Sequence, residues 1–252
     1  MSEFVVTDGA VPQGYSTGLV PRNYETHPVG YNSKPFQLKL IPESEWQNHL
    51  DVQKASRAQL SNVRRRGKNG GIMPSTDQGS KGFCWAHSTT SAELLSRAFQ
   101  NEPYADLSAY AVACVIKGYR DQGGWGAESL EFVAKNGIPT SEFWPQRSMS
   151  RDNDTPAMRA NASKHKITEW MDLEPRNKAQ LVTCLLLNIP VVIDLNWWGH
   201  SVCAMDIVSF NPFRIKIWNS WGDQWGDQGE GILEGNKAIP DGAIAPFVTM
   251  GG

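Results

Sequence analysis

The sequence predicts an α+β fold in two lobes, the first helical and the second β-rich, with a cleft between them. Three observations carry this expectation. Helical stretches crowd residues 84–99, 107–119 and 127–136, and a polar crossover, Ser150 to Pro156 (SRDNDTP), follows them. Beyond it, Pro190–Leu195, Ser201–Phe210 and Phe213–Trp218 are short β-branched runs punctuated by Gly, Asn and Pro, which reads as strands. A chain of 252 residues can bury a substantial core as one large or two small domains.

From the start, residues 1–41 are rich in Gly, Pro, Tyr and Asn without a helical or strand period, so they read as an extended arm. An arm of this kind becomes ordered by lying on the chain's own lobes or on a partner subunit. Residues 42–70 are expected to form an N-terminal helix and a basic, Gly-containing linker. Pro42 opens the helix, Glu43 and Glu45 fall in its first turn, and Arg64, Arg65 and Arg66 form a solvated end before Gly67–Gly71 breaks it. Residues 71–150 make the helical lobe and 151–252 the β-rich lobe, with Gln180–Asn188 as a short helix in the latter.

Charge and cysteine usage exclude several classes. A net charge of −2 and a pI near 6.2 give no electrostatic case for nucleic acid. The first twenty residues have neither the basic start nor the apolar run of a signal peptide. No apolar stretch approaches the roughly 20 residues of a membrane span. The expected setting is therefore cytoplasmic, with no membrane partner and no cofactor.

One set of residues carries chemistry. Gln78 precedes Gly82-Phe83-Cys84-Trp85, and His200 and Asn219-Ser220-Trp221-Gly222 follow in that order. A thiol is a nucleophile as thiolate, which a cationic neighbour or a helix N-terminus favours. Trp85 to Phe99 reads as a helix, so Cys84 stands at its positive end. A zinc reading of Cys84, His87, His200 and Cys203 is weaker, because His200 and Cys203 sit at odd spacing on a strand and face opposite sides.

These motifs resemble those of the papain-like cysteine peptidases. The similarity runs through DQGSKGFCWAHS (77–88), LSAYAVAC (107–114), GGWGAESLEFVAKNGIP (123–139), GHSVCAMDIV (199–208) and IWNSWGDQWGDQGEGIL (217–233). Cys84 precedes His200 by 116 residues and Asn219 by 135, against roughly 130–150 in the family. Trimmed loops account for the shortfall.

The resemblance implies a papain-like two-lobe fold and peptide-bond hydrolysis through a Cys84 thioester, acting on a peptide or protein in extended conformation. Cys84 is then the nucleophile, His200 the base and acid, Asn219 the group orienting His200, and Gln78 a donor to the oxyanion. Trp221 shields the His200–Asn219 pair. Gly82, Phe83, Gly123, Gly124, Trp125, Gly126, Gly199 and Trp221 line the substrate groove, with Phe83 beside the first subsite. Trp125, Gly126 and Gly199 bound the pocket for the next residue on the acyl side, whose natural guest is apolar or aromatic.

Departures from the family matter as well. Lys81 and Asp121 stand where secreted members carry a disulfide, and an ion pair is expected there. His87 replaces an aromatic hydrocarbon and is expected to hydrogen-bond within the first lobe. Residues 1–70 lack the family's inhibitory propeptide pattern, which suggests a bacterial or phage-type relative. Two rival readings stand beside the peptidase: a thiol acyltransferase or deamidase, and a non-catalytic scaffold for assembly, including a virion-associated one.

Overall fold

A computed structural model of the chain describes residues 3–31 and 33–247, so the last five residues of the 151–252 span lie outside the described residues. Among these residues, a seven-stranded sheet runs in the order β1-β2-β7-β3-β4-β5-β6. The strands are β1 (Lys34–Pro35), β2 (Glu169–Leu173), β3 (Val191–Leu195), β4 (His200–Phe210), β5 (Phe213–Trp218), β6 (Glu230–Glu234) and β7 (Gly242–Phe247). Every pairing is antiparallel except that of β1 with β2.

Period-2 alternation divides the strand side chains between two cores. On β3, Val192 joins a cluster shared with the helices of the first lobe, whereas Val191, Ile193 and Leu195 join a second cluster. The same alternation on β4 sends Cys203 and Met205 to the first cluster and Val202 and Ala204 to the second. The helical lobe therefore packs on one face of the sheet. On the other face lie α1 (Trp46–Ala55) and α7 (Lys178–Leu186), through Trp46, Leu50, Leu181 and Leu185.

The helical lobe holds α3 (Cys84–Phe99), α4 (Ala109–Ile116) and α5 (Gly126–Asn136). Helix α3 is buried from Cys84 through Ser96, although many of those residues are Ser or Thr. Thr89, Thr90 and Ser96 return their hydroxyls to carbonyls four residues earlier, which lets a polar helix occupy a core. Two further α-helices stand among the described residues, α2 (Leu60–Arg66) and α6 (Pro156–Ala162). Helix α6 starts on a Thr155 cap with proline in its first turn, and its Met158 and Ala162 pack into the first cluster.

Two expectations about the N-terminal helix need correction. Pro42 to Arg66 is not one helix: a 3-10 turn at Glu43–Glu45 leads into α1, and the chain then turns at residues 56–59 before α2. Arg57 sits there at φ 54°, a backbone state no helix contains. Nor is the whole arginine run a solvated end: Arg65 and Arg66 are exposed as expected, but Arg64 is not. Arg64 is wholly buried, donates to Glu230 at 2.8 Å and to the Gln228 carbonyl at 2.7 Å, and lies over the Trp218 ring. Its guanidinium joins α2 to the β5–β6 edge.

Candidate active site

Cys84 begins α3, His200 begins β4, and Asn219 follows β5. The fold thus brings a helix N-terminus from one lobe against strand ends from the other. Ser88 and Ser201 exchange a hydroxyl hydrogen bond of 2.9 Å across this junction. The imidazole Nε2 of His200 lies 2.7 Å from Asn219 Oδ1, which also accepts from the Ser220 N–H. With that oxygen as acceptor, Nε2 carries the proton and Nδ1 is left as a lone pair without a hydrogen-bond partner. Trp221 lies at 31° to the His200 ring with centroids 4.7 Å apart, and Trp198 meets it edge-on at 4.9 Å. Both indoles are buried, so the His200–Asn219 bond is dry.

Gln78 is placed between the lobes. Its Oε1 accepts from Ser220 Oγ at 2.7 Å, and its Nε2 donates to the carbonyls of Lys81 and Ser16. The second of these acceptors belongs to the N-terminal arm. Trp221 Nε1 donates to the same Ser16 oxygen at 3.1 Å.

The arm continues through the groove that the sequence assigns to substrate. Gly199 O accepts from the Gly18 and Leu19 N–H groups. Gly124 N donates to Gly18 O at 3.0 Å, and Val20 N donates to Gly124 O at 2.9 Å, a parallel bridge centred on Leu19. Gly18 packs so closely on Gly82 that a Cβ there would overlap the Gly82 backbone. Of the substrate-lining set, Gly82, Gly123, Gly124, Trp125, Gly199 and Trp221 therefore touch the arm itself. Gly126 lies beneath, its N–H facing Asp194 Oδ2 at 3.5 Å.

This cover changes the electrostatics. Burial pushes the Cys84 thiol up to about 12, against the pull of the Ser201, Trp85 and Gly18 N–H groups. Burial also drives His200 down to about 4, while its bond to Asn219 acts the other way. No hydrogen bond joins Cys84 to His200. Burial thus favours the neutral form of both partners. Excluding water removes the solvation that either ion needs.

Other calls divide. Lys81 and Asp121 form the expected ion pair at 3.4 Å, and Asp121 Oδ1 also accepts the Gly82 N–H. Phe83 requires correction: it is fully buried, with its ring edge-on to Tyr110 inside the helical core. It supports the turn and does not line the groove. The His87 expectation also fails, because both ring nitrogens are buried without a partner and burial holds the imidazole down to about 3. Trp198 belongs to the second core cluster, with Trp197 stacked on it. Among the described residues, no group of three His, Cys, Asp or Glu is placed to hold a metal, and no helix is long and apolar enough to cross a membrane.

Sequence reasoning missed the occupied groove and two buried acids beside it, Asp172 and Asp194. Nothing local in residues 12–22 says where they dock. The acids did leave a signal, since each interrupts a strand of otherwise buried side chains, WMDL and VVIDL.

Comparison with known proteins shows the family and the fold. Residues 60–204, well over half of the chain, match the family model described as papain family cysteine protease. That match spans Cys84 and His200 and stops before Asn219. Zingipain-2 of Zingiber officinale is 27% identical over 199 residues, covering 69% of this chain and 88% of that protein. Chymopapain of Carica papaya is 28% identical over 210 residues, and the alignment takes in 71% of this chain but only 58% of that longer protein. Among solved structures, xylellain, a cysteine protease from Xylella fastidiosa, superposes with a TM-score of 0.68 at 16% identity, covering 96% of this chain and 99% of that one.

Proposed function

The chain belongs to the papain family of cysteine proteases, and from that premise we propose that Cys84, His200, Asn219 and Gln78 are its catalytic machinery and that the arm must leave the groove before peptide enters. The observation carrying this reading is the 2.7 Å His200–Asn219 bond, which leaves Nδ1 unprotonated on the ring. In an opened groove, Nδ1 takes the Cys84 proton. The thiolate then attacks the scissile carbonyl carbon, and the carbonyl π pair moves to oxygen. The Gln78 amide and the Cys84 N–H hold that oxyanion. As the C–N bond breaks, His200 passes its proton to the leaving amine, and the thioester remains. Water deprotonated by His200 adds next, releasing the acid and returning the thiol.

The arm mimics a bound chain without presenting a cleavable bond. Ser16 O rests on Gln78, while residues 18–20 run along Gly123 and Gly124. A substrate has to lay the residues before its scissile carbonyl on that side, whereas the arm lays there the residues that follow Ser16. It runs backwards. The four free cysteines, and an ion pair in place of the family disulfide, support a reducing compartment such as the cytoplasm.

Peptide hydrolysis by the full chain and by Cys84→Ala tests the assignment. The variant is expected to keep the parent's circular dichroism and lose turnover. Equal turnover by the two proteins excludes Cys84 as nucleophile.

A further inference from the structure

We propose that the acyl-side pocket beside Trp125 recognises a basic side chain, arginine above all, through Asp172, and that Arg22 of the arm stands in for it. The proposal rests on the reading of Gly123–Gly126 as the substrate groove and adds the class of residue it selects.

Arg22 is the best-satisfied group of the arm. Its guanidinium makes two parallel bonds to Asp172, Nη1 to Oδ1 at 2.9 Å and Nη2 to Oδ2 at 2.7 Å, and also donates to the arm's own His27 and Pro28 carbonyls, while the Gly30 N–H donates to Asp172 Oδ2 at 2.8 Å; both charged side chains are almost wholly buried. The same guanidinium lies 5.1 Å from the centre of the Trp125 ring. Trp125 belongs to the helical lobe and to the groove; Asp172 belongs to β2 of the other lobe. The cation therefore sits where the two lobes face each other, on the indole expected to wall the substrate pocket.

The sheet shows how this position connects with the groove. Asp172 is directly opposite Ile244 on β7, and Ile244 is directly opposite Val192 on β3. Residues paired in this way share one face. A Cβ on Gly126 would meet Val192 Cγ1 at 2.9 Å and Ile244 Cδ1 at 3.3 Å, so these two side chains form the floor beneath Gly126. The row thus runs from an apolar floor under the groove to a carboxylate at its far end, about 10 Å away at two strand spacings. A long aliphatic stem on Val192 and Ile244 with a cation at Asp172 suits it; a leucine covers the floor and leaves the acid alone.

A second acid lies next to the floor. Asp194 is 6% exposed, two residues along β3 from Val192, and its Oδ1 has no hydrogen-bond partner. Two carboxylates beside an apolar floor are unfavourable in isolation and call for a cation. In the covered state the arm supplies one through Arg22. When the arm departs, that cation goes with it, and the substrate's own basic residue replaces it. The pocket is then selective for charge as well as for apolar bulk.

The test uses the full chain and three peptidyl epoxides that differ only in the second residue from the reactive end: arginine, its neutral isostere citrulline, or leucine. Cys84 labelling is followed by mass spectrometry where the rate is proportional to probe concentration, so that opening of the arm enters each rate equally. The arginine probe is expected to outpace the citrulline probe by at least about tenfold, as loss of one partner of a buried charge pair does elsewhere. Asp172→Asn should close that gap. Arginine and citrulline rates within tenfold of each other in the parent, or a gap that survives Asp172→Asn, overturn the proposal and leave Asp172 as the arm's anchor alone. The leucine probe separates the two levels: labelling by it alone sinks only the charge selectivity, whereas no labelling of Cys84 by any probe, in the parent and in the Gly18→Ala protein with its opened groove, sinks the assignment of Cys84 as well.

Discussion

Gln78 Nε2 lies 3.0 Å from the carbonyl oxygen of Ser16. The amide assigned to a substrate's oxyanion is already holding the chain's own backbone, so the described state is a covered one. Its chemistry follows from the cover. With Gly18 packed on Gly82 and both Cys84 and His200 buried, the neutral thiol and imidazole are favoured.

Gly18→Ala should open the groove. The added methyl overlaps the Gly82 backbone, which cannot move aside without shifting the start of α3. Overpacking of this kind costs about 1–3 kcal/mol, which raises the open fraction by roughly 5- to 150-fold. Iodoacetamide labelling of Cys84 and peptide turnover should rise together by that factor. Unchanged labelling would mean that the arm does not control access.

Gln78→Ala should separate two properties that Gly18→Ala moves together. It removes one support of Ser16, so labelling of Cys84 by a small reagent should speed up. It also removes an oxyanion donor, which costs about 10²–10³ in kcat. Asn219→Ala should cost less, about 10–10², because Asn219 positions the His200 ring and touches no reacting atom. Steady-state kinetics on opened variants checks both values. A larger loss from Asn219→Ala than from Gln78→Ala contradicts the roles assigned.

Glu93 predicts an unusual pH response of stability. It is wholly buried on α3, neither carboxylate oxygen has a partner, and burial raises it from 4.5 to about 8, with Arg97 pulling the other way. Between those values the folded protein binds the proton and the unfolded chain does not, so stability falls as pH rises. Glu93→Gln removes that dependence. The variant's advantage over the parent should grow by about 1.4 kcal/mol per pH unit from pH 4.5 to 8. Scanning calorimetry of the pair isolates it, since Asp194, His87 and His200 titrate alike in both. A constant difference would show that Glu93 is ionised in the folded protein.

Lys81 and Asp121 should respond unequally, although they form one ion pair. Both side chains are more than a third exposed, so Lys81→Ala should cost no more than about 1 kcal/mol. Asp121→Ala also strips the acceptor from the Gly82 N–H, directly before the Cys84 turn, and should cost about 1 kcal/mol more. Thermal melts in low and high salt test this: salt should abolish the Lys81 effect and spare most of the Asp121 effect.

Much of the fold was legible because its signals are local. Phe213–Trp218 appears with the bounds its β-branched run and flanking Pro and Asn imply, and Gly126–Asn136 within a residue. Strands β2 and β7 were not legible. EWMDL carries two acids in five residues, and GAIAPF contains a proline, so their strand character comes from pairing with each other across 70 to 78 residues of sequence. Helix α6 had a readable start in Thr155-Pro156, inside the stretch taken for a crossover.

By itself, the sequence determined the candidate set. A thiol at the first turn of a helix, a histidine opening a strand, and Asn-Ser-Trp-Gly after the next strand are residue types and short-range geometry, which neighbours along the chain dictate. Tertiary structure alone decided the state of that set. Whether Cys84 and His200 carry charge depends on water, and water is excluded by Ser16–Val20, more than sixty residues earlier. The same holds for Asp172: a carboxylate in a strand says only that a cation is needed, and packing of two lobes and an arm decides which one reaches it.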